Sequence, residues 1–135
     1  LLRIIAVGWT HFLEKNMRTT NGVAVNNDNT KLKVNESVQR NDWQYDLDDN
    51  LNISNKKVLI KFAVHSLDGM SVNNQGHVFI TRYGAGKVLE VSPTGKLLNS
   101  YQLKGQHPTN LAFNETQNKV YVTMQKRGAI EVIEL

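Results

Sequence analysis

Ser-Leu-Asp-Gly-Met-Ser-Val-Asn-Asn-Gln-Gly-His-Val-Phe-Ile-Thr-Arg-Tyr, residues 66–83, reads as two short strands joined by a tight turn. Met70 to Val72 form the first strand, and Asp68 stands just before it, at a strand mouth. Asn73 to Gly76 supply the turn, because Asn and Gly tolerate positive φ. Val78 to Thr81 form the second strand, rich in β-branched and aromatic residues.

The same unit recurs on either side. Asn21-Gly22-Val23-Ala24-Val25 is followed by a turn at Asn26 to Asn29 and a strand at Leu32 to Asn35. Thr109-Asn110-Leu111-Ala112-Phe113 is followed by a turn at Asn114 to Asn118 and a strand at Val120 to Thr123. The repeats start at 21, 68 and 109, which are 47 and then 41 residues apart. Short strands at a period of about 40–50 residues are the mark of a β-propeller. Third strands follow at Asp42 to Leu47, Lys87 to Val91 and Ala129 to Ile133. Fourth strands follow the first two repeats at Val58 to Phe62 and Leu97 to Leu103, whereas the third repeat stops at Leu135. The expected fold is therefore all-β, a partial propeller of about three four-stranded antiparallel blades over residues 21–135. A closed six-bladed ring would need roughly 250–280 residues. Residues 1–20 read as the remnant of a preceding blade, with Leu1 to Leu13 as one or two strands and Glu14 to Thr20 as polar loop. The chain begins with Leu1 rather than Met, which reads as a piece of a longer product.

Composition excludes several classes. With no cysteine, thiolate metal sites, disulfides and cysteine nucleophiles are out. The formal net charge is +4, but Lys and Arg are scattered and no basic run is interleaved with aromatics. Nucleic acid is not an expected partner. No stretch approaches the ~18 apolar residues of a membrane span, so no membrane partner is expected either. With no signal peptide legible, the expected compartment is cytoplasmic. No Gly-x-Ser-x-Gly elbow or phosphate-binding Gly loop appears.

Two residues stand out as candidates for chemistry. Asn21 and Asp68 hold equivalent places in adjacent repeats, each followed by Gly. Asn-Gly and Asp-Gly are also strong hairpin-turn dipeptides. A hairpin at either place, however, leaves strands of only three or four residues before the next turn. Placed instead on the innermost strands, an Asn and an Asp converge on the central channel. There their oxygens suit a hard divalent cation such as Ca²⁺, Mg²⁺ or Mn²⁺, and Zn²⁺ also accepts carboxylate oxygen. Of the histidines, His65 and His107 precede inner strands and either line the channel mouth or sit in loops. His77 follows a turn and is expected to be exposed. His11 carries no motif.

Taken in order, Asn21-Gly22-Val23-Ala24-Val25, Asn35-Glu36-Ser37-Val38-Gln39-Arg40 with Tyr45-Asp46-Leu47-Asp48, Asp68-Gly69-Met70, Thr81-Arg82-Tyr83-Gly84, Pro93-Thr94-Gly95-Lys96 and Pro108-Thr109-Asn110-Leu111-Ala112-Phe113 form a series. The series resembles the C-terminal half of the senescence marker protein, gluconolactonase and luciferin-regenerating enzyme (regucalcin-like) family. The resemblance implies a six-bladed propeller with one divalent metal ion in its channel and hydrolysis of a small-molecule sugar lactone. By motif, Asn21 matches one Asn metal ligand, and Asp68 matches the Asp ligand that is also the proposed catalytic base. A Glu and a further Asn ligand of the family would lie before residue 1. The remaining N-terminal half would be needed to close the ring, so the isolated 135 residues are expected to be inactive. The alternative is a non-catalytic propeller segment acting as a binding or scaffold module. Thr20 stands where the family usually has Pro, and Lys33 where it has an apolar or aromatic residue.

Overall fold

Residues 8, 10 and 12–135 are described in the computed structural model of the chain. The expected strand or strands of Leu1 to Leu13 fall largely outside the described residues. Eleven strands and no helix occur among them. The first sheet comprises β1 (Thr20–Val25), β2 (Lys31–Glu36), β3 (Asn41–Leu47) and β4 (Ile53–Lys61). The second comprises β5 (Ser66–Val72), β6 (Val78–Tyr83), β7 (Lys87–Val91) and β8 (Leu97–Gln102). The third comprises β9 (Pro108–Phe113), β10 (Lys119–Met124) and β11 (Ala129–Glu134). Each sheet is an antiparallel meander in chain order. Strand β1 packs beside β5, and β5 beside β9, so the innermost strands of three consecutive blades are neighbours. This is a partial propeller.

Each blade turns its first corner the same way. An Asn ends the inner strand and caps the turn with its side-chain oxygen. Asn26 Oδ1 accepts from the Thr30 and Lys31 amides at 3.0 and 2.8 Å. Asn73 Oδ1 accepts from Gln75 and His77 at 3.0 and 2.9 Å, and Asn114 Oδ1 from Lys119 at 2.9 Å. Such side-chain bonds replace the backbone ladder where the chain reverses.

Two boundaries differ from the sequence reading. Strand β4 starts at Ile53, well before Val58. Its first half is exposed on both faces and so lacks the alternation that marks a strand. Asp68 lies inside β5 rather than before it, because pairing with β6 resumes at Ser66 and Leu67 beyond an irregularity.

The core lies between blades. Leu59, Leu67, Met70, Val72, Val78, Ile80 and Val91 fill the first interface. Phe79, Val88, Leu103, Leu111, Val120, Val122 and Met124 fill the second. Register exposes an asymmetry between them. Asn35, Thr81 and Thr123 are equivalent positions on β2, β6 and β10, paired with Asp42, Val88 and Ile130. Two residues earlier stand Lys33, Phe79 and Tyr121. Where the second interface buries Phe79 and Val88, the first buries Lys33 and Asp42, at 1% and 0% exposure. The third copies, Tyr121 and Ile130, are 43% and 68% exposed, with no blade of the described residues packed over them.

Lys33 Nζ donates to Gln44 Oε1 at 2.6 Å. Neither carboxylate oxygen of Asp42 has a hydrogen-bond partner among the described residues. Burial pushes the Asp42 carboxyl up to about 7, against the pull of the Lys33 ammonium. Between the ordinary value of 3.8 and about 7, the folded chain therefore keeps a proton that the unfolded chain has lost. Stability falls as pH rises through that window. At about 1.4 kcal/mol per unit, the loss has a ceiling on the order of 4 kcal/mol. Lys33, lowered by the same burial, acts with the opposite sign on the alkaline side. Asp42→Asn is expected to be the more stable protein at pH 8 and near neutral in effect at pH 4, measured by urea denaturation. A variant that keeps the wild-type slope between pH 4 and 7 would refute this account.

Candidate functional site

In every blade the inner strand loses register at the same place. Pairing of β1 with β2 skips from Thr20 to Val23, leaving Asn21 and Gly22 out of the ladder. Pairing of β5 with β6 skips from Leu67 to Met70, leaving Asp68 and Gly69 out. Pairing of β9 with β10 passes over Thr109. Bulges of this kind re-aim side chains and occur disproportionately beside active sites.

The glycines follow from proximity rather than from turn chemistry. A Cβ on Gly22 would lie 2.5 Å from the Asp68 carbonyl oxygen and 2.6 Å from Asn35 Nδ2. A Cβ on Gly69 would lie 2.6 Å from Asn110 Cα and 2.7 Å from the Thr109 carbonyl oxygen. Neighbouring inner strands thus touch backbone to backbone, at the residue following each candidate side chain. The hairpin-turn alternative for Asn21-Gly22 and Asp68-Gly69 does not apply.

These bulges line one cleft of about 310 Å³, formed by Asn21, Gly22, Val23, Asp68, Gly69, Met70, Thr109 and Asn110. Asp68 is half-buried, and desolvation raises its carboxyl above the ordinary range. The Asn21 side chain faces the carboxylate and pulls the other way, favouring the charged form. The two residues singled out in the sequence therefore meet across the interface of adjacent blades. Thr109 Oγ1 turns to its own blade, 2.9 Å from Thr123 Oγ1. The Asn110 side-chain oxygen accepts from the next amide, Leu111, at 2.9 Å.

Among the described residues, no group of three or more His, Cys, Asp or Glu is arranged to hold a metal ion. The cleft instead offers neutral amide and carboxylate oxygens, the donor type that hard cations prefer. One carboxylate and one amide fit such an ion in chemistry but leave most of its coordination sphere to other groups.

None of the described histidines, His65, His77 and His107, lines the cleft. His65 is exposed in the loop before β5 with φ of 59°, and its carbonyl accepts from Arg82 at 3.2 Å. His107 packs edge-on against Tyr83, ring centres 4.9 Å apart. His77, expected to be exposed, is instead partly buried, with Nδ1 2.6 Å from Glu90 Oε1. Glu90 is further held by Asn99 at 2.7 Å and Tyr101 at 2.9 Å. Missed by sequence reasoning was Asn35. Its side chain is fully buried and joins the backbones of both candidate residues' bulges.

The family described as SMP-30/Gluconolactonase/LRE-like region matches residues 1–126. A 6-deoxy-6-sulfogluconolactonase from Pseudomonas putida is 26% identical over 132 residues, covering 95% of this chain and 45% of that protein. Regucalcin from Sus scrofa is 30% identical over 90 residues, 64% of this chain and 30% of that protein. The solved structure of a luciferin-regenerating enzyme superposes with a TM-score of 0.77 at 26% identity, over 83% of this chain and 39% of that one. The chain spans less than half the length of these relatives. No helix among the described residues is long and apolar enough to cross a membrane.

The contact at Gly69 leaves no room for a methyl group: besides the Asn110 side-chain oxygen, the Asn110 Cα and the Thr109 carbonyl oxygen stand in the way, and these main-chain atoms cannot swing aside. Gly69→Ala is expected to destabilise the fold by roughly 1–3 kcal/mol through overpacking. A melting temperature unchanged by the substitution would show that the inner strands have slack.

Proposed function

Because the chain belongs to the SMP-30/Gluconolactonase/LRE-like family, we propose that it forms part of a divalent-metal-dependent hydrolase of sugar lactones. The observation that carries this reading is the meeting of Asn21 and Asp68 in equivalent bulges of adjacent inner strands. The activity named for the Pseudomonas putida relative supports the substrate class.

In this reading the Asn21 side-chain oxygen and the Asp68 carboxylate hold one ion of Ca²⁺, Mg²⁺, Mn²⁺ or Zn²⁺. When bound, such an ion polarises a lactone carbonyl and acidifies a water molecule. The remaining oxygen ligands, and the closure of the ring, come from blades beyond these 135 residues. The chain's own chemistry is proton transfer. Water adds to the lactone carbonyl, and Asp68 accepts the proton that the water loses. The ring C–O bond then breaks and its oxygen takes up a proton, leaving the hydroxy acid. Partial burial raises the Asp68 carboxyl above the ordinary range, and a bound cation would pull it back down. Asn21, facing it, keeps the carboxylate turned into the cleft. A non-catalytic binding module is the competing reading, favoured by the small number of oxygen donors that the described cleft supplies.

The test is hydrolysis of D-glucono-δ-lactone by the full-length protein, followed by proton release. Asp68→Ala is expected to lower turnover by about 10²–10⁴-fold, the usual cost of removing a general base. Mn²⁺ binding should weaken in the same variant while its circular dichroism is retained. Activity within a few-fold of wild type would remove Asp68 from the mechanism. Tight lactone binding without turnover in the wild type would favour the binding module.

A further inference from the structure

We infer that Asn35 is a positioning residue for the Asn21–Asp68 centre, setting the separation of the two side chains through the backbone on which each is carried. The inference rests on the proposed reading of that centre. Asn35 lies on β2 with its side chain completely buried. Its Oδ1 accepts from the Gly22 amide at 3.0 Å. Its Nδ2 donates to the Asp68 carbonyl at 2.6 Å. The first bond fixes the peptide unit that follows Asn21. The second fixes the carbonyl of Asp68 itself. A single planar amide therefore spans the interface between the first and second blades, one end on each candidate ligand's main chain.

Neither Gly22 nor Asp68 has a ladder partner on its neighbouring strand at this point, because both lie in bulges. Without Asn35 the Gly22 amide and the Asp68 carbonyl would lose the bonds that fix their spacing, while the missing Cβ of Gly22 leaves the strands free to slide. The second interface contains the analogous device in reduced form. Thr81 Oγ1 is 3.0 Å from the Gly69 carbonyl and 3.5 Å from that of Thr109. One hydroxyl there does loosely what the Asn35 amide does with two firm bonds. The stronger clamp sits at the interface that carries Asn21 and Asp68. Groups that orient ligands from behind commonly change metal affinity or activity by 10–100-fold when removed.

The experiment compares three variants of the full-length protein with wild type, titrating Mn²⁺ alone by calorimetry far below every melting temperature. Asn35→Leu keeps the branched shape and the number of heavy atoms of the side chain and removes both bonds. Val122→Ala, in the second interface and outside the lining of the cleft, is the control for loss of stability alone. Asn35→Leu is expected to weaken Mn²⁺ binding at least about tenfold and to lower kcat for gluconolactone, with the control staying within about twofold of wild type on both. Equal Mn²⁺ affinity in Asn35→Leu and Val122→Ala overturns the inference. Should Asn35→Leu not fold, Asn35→Thr is read in its place. Its hydroxyl both accepts and donates but sits on one short arm, which spans Gly22 and Asp68 less firmly than the two arms of the amide, so a smaller loss in the same direction is expected, and wild-type affinity overturns the assignment. Asp68→Ala separates the two levels of the argument. If it leaves Mn²⁺ binding intact, the reading of the centre falls and the inference falls with it. If it abolishes binding while Asn35→Leu does not weaken it, the centre stands and only the role of Asn35 is lost.

Discussion

Adjacent inner strands in this protein approach more closely than side chains permit. At Gly22 and again at Gly69, main chain meets main chain at distances where any Cβ would overlap. Much else in the structure answers that constraint. The strands cannot remain in a regular ladder with β2 and β6 while also reaching sideways, so pairing breaks locally and resumes. The residue before each glycine is thereby turned out of the sheet and toward the space between blades. A packing requirement and a chemical opportunity coincide at one position in each of the first two repeats.

The polar atoms exposed by this break have to be satisfied inside the molecule, since an unpaired buried amide or carbonyl costs about 1–3 kcal/mol. The second strand of each blade supplies the remedy at one register position. Asn35 and Thr81 are buried and reach across to the next inner strand. Thr123, at the third position, is exposed and bonds only within its own blade. The series shows the polar residue to be part of the interface, used fully only where another blade is present to receive it. Lys33 and Asp42 do not belong to this economy. They occupy positions that the second interface fills with Phe79 and Val88, and Asp42 finds no hydrogen-bond donor among the described residues. Nothing in the described cleft uses them.

The period of the repeats was legible because turn chemistry and inner-strand composition recur together. Asn26, Asn73 and Asn114 close equivalent corners, and each is followed by a second strand of similar make-up. Asn21 and Asp68 stood out for the same reason. What could not be read was whatever depended on partners distant in the chain. Asn35 sits in an unremarkable strand, and its acceptor, the Asp68 carbonyl, is thirty-three residues away. His77 looked exposed from its place after a turn, yet Glu90 on β7 draws it inward. The first half of the outer strand β4 is not legible in the sequence because an edge facing solvent on both sides carries no periodic signal. The Asn-Gly and Asp-Gly pairs were ambiguous since glycine serves both positive φ and close approach, and only the neighbouring strand distinguishes them.

The three bulges present Asn21, Asp68 and Thr109 from nearly the same backbone socket. What differs between them is the side chain alone: a neutral amide, a carboxylate and a hydroxyl. The carboxylate is placed where burial raises its affinity for a proton and the facing amide restrains that rise. The hydroxyl is drawn away to Thr123. A fold that repeats one backbone irregularity around an axis can therefore vary the chemistry at its centre by single substitutions, with each strand's packing left as it is. The glycine after Asn21 and the glycine after Asp68 sustain that freedom. They carry the contact between blades in the main chain, so the preceding residue need not be chosen for packing.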